Sequence, residues 1–330
     1  KGRDRMDLFI QRCFDGLFNG AIYASLALAL VMLFRATGLL NFALGEIGMV
    51  GGYTSLVMLT PAVGVSAAAA GGGGFRFPVA GTSFASRLPG HPYPVLVAIA
   101  VGVLTSALLG VLLQRLVLYR LRNRSDFVKV NATIALLLAL TGLVSEVWGG
   151  AAQRYPSVFP NEPTDYVNVF GGRLRYTTLG AWAVQLFLLL LLGVLINRTK
   201  TGLAFRAITS NAEAASLMGI RVQRTLAIGW AVSCGIGALA VSLVAASTIL
   251  RPGMMVTVLI LAFAAATIGG LDSPKGAVVG GVIVGLTQSL VPGYTPFPSE
   301  LAVVPPFLVM TILLMFRPTG LFGTSRVVRV

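Results

Sequence analysis

Nine apolar stretches, separated by polar or glycine- and proline-rich segments, organise the chain. Six of them, 16–34, 92–114, 176–197, 225–250, 252–271 and 276–299, carry no charge over about the 20 residues that a helix needs to cross the hydrocarbon of a bilayer. Two more, 130–145 and 301–316, are short but have uncharged polar or interfacial flanks to extend them. The ninth, 47–75, is long and interrupted by Pro61 and several glycines. With Gly45, Gly48, Gly51 and Gly52 beside it, the region 42–71 is expected to be a broken or re-entrant element. Membrane depth tolerates such an element only where protein or water satisfies its backbone. The first apolar run has basic residues before it and small residues at 24–29, as a signal peptide does. Its length and the many later spans favour a retained helix.

The longest strongly polar interruption in the second half is Thr199–Arg224, TKTGLAFRAITSNAEAASLMGIRVQR. Helix formers at 204–207 and 212–218 flank Thr209-Ser210-Asn211, so two helices are expected. Ser210 or Asn211 caps the second. Gly219 closes it, and Glu213 lies in its first turn, where the helix dipole favours an acid.

Composition supports the membrane reading. Hydrophobic residues make up 56% of the 330 and charged residues 11%, with a mean hydropathy of +0.85; soluble domains carry about 25% charged residues. The net charge of +14 would suggest nucleic acid in a soluble protein. Here the cations cluster in a few loops with no interleaved aromatic platform, which is the positive-inside pattern, so nucleic-acid binding is excluded. Four segments hold most of them: the residues before the first span, 115–129, 198–224 and the tail from Arg317. All four, and so both termini, are expected on the cytoplasmic side. Loops 72–91 and 150–175 are then extracytoplasmic. Loop 115–129 can be inside only if 42–71 contributes none or two crossings. The expected fold is thus one all-α polytopic transmembrane domain over 1–330, with about eight full spans plus the broken element, or ten spans as the alternative.

Glu46, in NFALGEIGMVGGY, is the most informative single residue. A carboxylate at a helix centre costs about 2.5–3.5 kcal/mol on insertion scales and usually faces a bundle interior or a wet path. It marks a pathway or gate, or else a hydrated break near the interface, with Asn41 and Gly45 beside it. Glu146 ends an apolar run next to Trp148, so it is either a pathway group or a solvated helix end. Gln114, Asn131, Thr133 and Gln288 are further polar groups in or beside spans, and nothing in the sequence selects among them. Small residues four apart, Gly276/Gly280 and Gly281/Gly285, permit close helix approach, in a translocation core, at a subunit seam or in plain internal packing. The lone His91 has no partner for metal or base chemistry. Cys13 and Cys234 frame no disulfide scaffold. No catalytic constellation and no phosphate-binding loop follows from the sequence, so ATP hydrolysis would have to reside on another chain.

Three ordered stretches resemble the permease subunits of ABC importers of the branched-chain amino-acid type. They are 16–53, with its Asn-Phe-Ala-x-Gly-Glu segment; 202–219, GLAFRAITSNAEAASLMG; and AFAAATIGGLDSPKGA at 262–277 followed by RPTGLFG at 317–323. In the second, Glu213-Ala214-Ala215 and Gly219 match the EAA motif of importer permeases. Leu44 departs from the family by standing where many members have a histidine, and the 61–91 region is longer and richer in glycine. The resemblance implies a type II-like permease in a bacterial or archaeal cytoplasmic membrane. Its partners would be a second permease, identical or homologous, two cytoplasmic ATPases that hold ATP and Mg²⁺, and an extracytoplasmic substrate-binding protein. It has no cofactor of its own and is not an enzyme. Its solute would be a branched-chain or other aliphatic amino acid, or urea or a short amide. Glu213, Ala214, Ala215 and Gly219 would couple to the ATPase. Arg206 and Arg221 would be docking cations, or else ordinary positive-inside residues. The alternative is a self-contained channel or ion-coupled transporter, for which only Glu46 and Glu146 offer intramembrane charge.

Overall fold

The computed structural model describes residues 2–59, 93–160, 164–169, 172–295 and 298–323. The loop expected at 72–91 lies outside the described residues, as do Pro61 and His91. Eleven α-helices and one hairpin make up the described chain. They are α1 (Gly2–Thr37), α2 (Leu44–Leu59), α3 (Val95–Leu113, continued by a π turn Gln114–Leu118), α4 (Asp126–Trp148), β1 (Tyr166–Val169), β2 (Gly172–Arg175), α5 (Tyr176–Arg198), α6 (Lys200–Ser210), α7 (Ala212–Leu217), α8 (Val222–Ser247), α9 (Met254–Gly269), α10 (Pro274–Tyr294) and α11 (Val304–Phe316). Among the described residues, each of the nine apolar stretches holds one apolar helix. Six are long enough to span a bilayer, and α2, α9 and α11 are shorter. The chain is a mostly helical polytopic membrane protein.

The helices form two compact units, each assembled from separated parts of the chain. The unit containing 39–158 and 223–257 is built around α2. A Cβ on Gly48 would stand 2.7 Å from the Gly237 carbonyl carbon of α8. Gly51 faces Gly102 of α3, and Gly52 faces Val241 of α8. These glycines, read from sequence as break points, are contact points instead, and α2 is one continuous helix of 16 residues. The physical reason is that a helix keeps its backbone hydrogen bonds internal, so missing side chains bring neighbours close without unwinding it. Ser106 Oγ donates to the Ile47 carbonyl (2.7 Å), and Phe42 N donates to Thr133 Oγ1 (3.3 Å). Together with the Gly48–Gly237 and Gly52–Val241 contacts, these make α4 and α8 parallel to α2, and α3 antiparallel. Gln114 Nε2 donates to Gln223 Oε1 (3.1 Å), so the end of α3 and the start of α8 share one end of this unit.

In the other unit (1–38, 159–222 and 258–330), α10 lies antiparallel along α1. Gly285 meets Gly16 and Gly20, Gly281 meets Ala24, and Ser289 Oγ donates to the Arg12 carbonyl (2.7 Å). On α5, Trp182 Nε1 donates to the Leu17 carbonyl (3.1 Å), and Ser25 Oγ of α1 donates to Gln185 Oε1 (2.6 Å). The hairpin β1–β2 sits against the first turns of α1, where Arg173 N donates to Gln11 Oε1 (2.9 Å). The tail closes on the α9–α10 turn through Leu321 N to Ile268 O (2.9 Å) and Phe322 N to Gly269 O (3.0 Å).

The last turns of α1 lie beside α6, where Met32 and Arg35 line one pocket with Phe205 and Arg206. The first turns of α1 lie beside β2 and the end of α10. Because α1 is a single helix of 36 residues, its start and the 198–224 segment stand at opposite ends of the unit.

Candidate functional site

The polar interruption at 199–224 folds as α6 and α7, joined at one residue. Thr199 caps α6, its Oγ1 accepting from Gly202 N (3.1 Å). Gly202 is packed so closely on the Leu195 and Ile196 carbonyls that a side chain there has no room, which lets α6 turn directly off the end of α5. Gly202, Phe205 and Ile208 form the buried stripe of α6, at spacings of three that keep them on one face. Arg206 and Leu203 point outward.

Asn211 ends α6 and starts α7. Its backbone is extended (φ −157°, ψ 108°), and its Oδ1 accepts from Ala214 N (3.0 Å). At the far end Gly219 takes φ +83°. Gly219 N donates to Ser216 O (3.0 Å) and Ile220 N to Ala215 O (3.1 Å), the pair of bonds that defines a Schellman close. Of the motif residues, Ala215 is fully buried, while Glu213 and Ala214 face outward. Leu217 and Met218 follow at 89% and 72% exposed, unusually bare for apolar side chains at a capped helix end. Arg221 is exposed beyond Gly219.

The pathway candidates fall in the other unit and divide. Asn41 is buried, its Oδ1 accepting from Ala43 N (3.0 Å) in the turn before α2, and its amide nitrogen is unpaired. Gly45 and Glu46 are buried in the first turn of α2. Glu146 is exposed near the end of α4, so the two glutamates do not form a pair. Gln114 and Thr133 are buried and Asn131 is exposed. Gln288 accepts from the Tyr23 hydroxyl (2.5 Å). The four glycines of α10 serve two different neighbours. Gly276 and Gly280 meet Gly269 and Ala265 of α9, while Gly281 and Gly285 meet α1.

Sequence reasoning missed a set of buried polar groups in the α2 unit. Tyr155 sits with its hydroxyl 2.8 Å from Ser55 Oγ and donates to Ser242 Oγ at 3.3 Å. Burial pushes its phenol above the ordinary range, opposed by those hydrogen bonds, so it stays neutral. Tyr53 is buried and stacked on Trp148, with ring centroids 5.5 Å apart. The seven-residue spacing of Glu46 and Tyr53 was the available signal. Among the described residues no group of three or more His, Cys, Asp or Glu could hold a metal.

The chain belongs to the family described as branched-chain amino acid transport system / permease component, whose model matches residues 12–314. It is 25% identical over 324 residues to the high-affinity branched-chain amino acid transport system permease protein BraD of Pseudomonas aeruginosa, covering 98% of each chain. It is 26% identical over 326 residues to LivH of Escherichia coli, again with 98% of each covered. A probable LivH of Methanocaldococcus jannaschii is 29% identical, with 94% and 92% covered. No solved structure matches this chain. It is therefore a transmembrane permease subunit of an importer, a transport component and not an enzyme. Its family implies ATPase and binding-protein partners.

Proposed function

We propose that the chain forms half of the translocation path of an ATP-driven importer of branched-chain amino acids, and that α6–α7 is the element through which the ATPases act. Two permeases, two ATPases carrying ATP and Mg²⁺, and one extracytoplasmic binding protein make the complex. The observation that carries this is the α6–α7 pair. It is capped at Thr199 and Asn211, closed at Gly219, seated by Phe205, Ile208 and Ala215, and it presents Glu213, Leu217 and Met218 outward. A rigid helix pair with bare apolar residues at its tip suits insertion into a partner's groove. Arg206 and Arg221 flank it as docking cations.

In this reading 198–224, 115–125 and the tail face the cytoplasm. With the nine apolar helices among the described residues each crossing once, the start of α1 and loop 150–175 lie on the extracytoplasmic side, where the binding protein docks.

The test is Glu213→Lys in the complex reconstituted in proteoliposomes. Glu213 is exposed, so insertion and assembly should be normal. ATP-driven leucine uptake and its stimulation of ATPase activity should fall at least tenfold. Normal stimulated uptake by the variant would sink the coupling role.

A further inference from the structure

Glu46 is 1% exposed, and neither carboxylate oxygen has a hydrogen-bond partner among the described residues. Thr141 of α4 is its polar neighbour, but that hydroxyl is directed to the Leu137 carbonyl (2.9 Å). A buried carboxylate is unfavourable until a cation or donor completes it. Two helical turns further along the same face of α2, Tyr53 is also 1% exposed and its hydroxyl is unpaired. Its ring stacks at 26° on Trp148 of α4, whose indole N–H is likewise buried and unpaired. Thr141 and Trp148 are themselves seven residues apart. The seam between α2 and α4 thus has two rungs: an unfilled acceptor at Glu46, and two unfilled donors at Tyr53 and Trp148.

Seven helical residues place these rungs about 10 Å apart along the axis. A ligand that satisfies both must carry a cation at one pole and an acceptor at the other. An α-amino acid zwitterion has that arrangement, an ammonium and a carboxylate on one carbon, each able to make a charge-assisted hydrogen bond. A neutral amide or urea would leave Glu46 unneutralised.

We propose that the α2–α4 seam is a solute subsite, in which the ammonium of a zwitterionic amino acid docks on Glu46 and its carboxylate accepts from the Tyr53 hydroxyl and the Trp148 indole N–H. The inference rests on the amino-acid permease reading and deepens it: the path itself, and not only a binding protein outside, selects for zwitterions.

Calorimetry on the permease complex in nanodiscs, without binding protein, tests this with three probes. They are leucine, 3-methylbutylamine, which lacks the carboxylate, and 4-methylpentanoate, which lacks the ammonium. Leucine should bind at least tenfold tighter than either analogue. Glu46→Gln should weaken leucine and the amine at least tenfold and leave 4-methylpentanoate unchanged, while Tyr53→Phe should weaken leucine and 4-methylpentanoate and spare the amine. No leucine binding by the wild type, or unchanged leucine affinity in Glu46→Gln, overturns the subsite. If Glu46→Gln does not assemble, unchanged leucine affinity in both Tyr53→Phe and Trp148→Phe does so. ATP-driven leucine uptake by the wild type separates the two readings. Uptake with no effect of these variants on binding sinks only the subsite, whereas absence of uptake for any aliphatic amino acid sinks the permease reading.

Discussion

Gly281→Ala on α10 isolates what a single methyl does at the α1–α10 contact. A Cβ at position 281 would stand 2.6 Å from the Ala24 Cβ, 2.7 Å from its N and 2.8 Å from its Cα. Real Cβ atoms essentially never come within 3.0 Å of such atoms. Two of the three are backbone and the third is a methyl with no rotamer to change, so the helices themselves must separate. Overpacking of this kind costs about 1–3 kcal/mol, against a gain of about 1 kcal/mol for replacing glycine by alanine within a helix. The net effect is a loss of up to about 2 kcal/mol. The matched control is Gly193→Ala in the middle of α5, where nothing lies within 4 Å and only the helix gain of up to about 1 kcal/mol remains. The two alanines should thus differ by about 1–3 kcal/mol in opposite directions. Unfolding of a polytopic protein is not two-state, so the readout is the rank of the midpoints for loss of the monodisperse detergent-solubilised species on heating. Gly281→Ala should melt below wild type and Gly193→Ala at or above it. Coincident melts would refute the claim that α1 and α10 are in backbone contact.

Three further predictions follow from the same contacts. Asn211→Ala removes the cap that holds Ala214 N and should cost about 1 kcal/mol; hydrogen exchange over 212–218 should quicken while α8 is unchanged, and unchanged exchange refutes the cap. Tyr155→Phe deletes the hydroxyl shared by Ser55 and Ser242 and should cost about 1 kcal/mol in thermal stability, because both serines keep a backbone carbonyl to donate to; a loss several times larger would mean that Tyr155 carries more than this bond. In a background with Cys13 and Cys234 replaced, a cysteine at Asp7 should react with a membrane-impermeant maleimide from outside intact cells, and one at Ser216 only after permeabilisation. Labelling of both from the same side would refute the assignment of α1's ends to opposite faces.

The apolar runs were legible because the bilayer imposes one simple rule, an uncharged run of sufficient length, and among the described residues each of the nine holds an apolar helix. The caps of α7 were equally legible, since Asn211, Glu213 and Gly219 each suit one backbone position for a local reason. What failed was any inference that needed to know what lay across from a residue. Gly48, Gly51 and Gly52 look the same in a string whether they interrupt a helix or receive Gly237, Gly102 and Val241. Loop 115–125 and the start of α8 share an end of their unit, through Gln114 and Gln223. The first cations lie in the opening turns of a helix of 36 residues, long enough to project beyond the hydrocarbon. The polar seam was half legible for the same reason. Glu46 stood out as a charge in an apolar run. Tyr53 and Trp148 did not, because an aromatic in a membrane helix is ordinary until its N–H or hydroxyl is found buried with nothing to bond. Two such donors one helical repeat from an unpaired carboxylate form a pattern only when α4 is laid against α2, and that juxtaposition gives the seam its polarity.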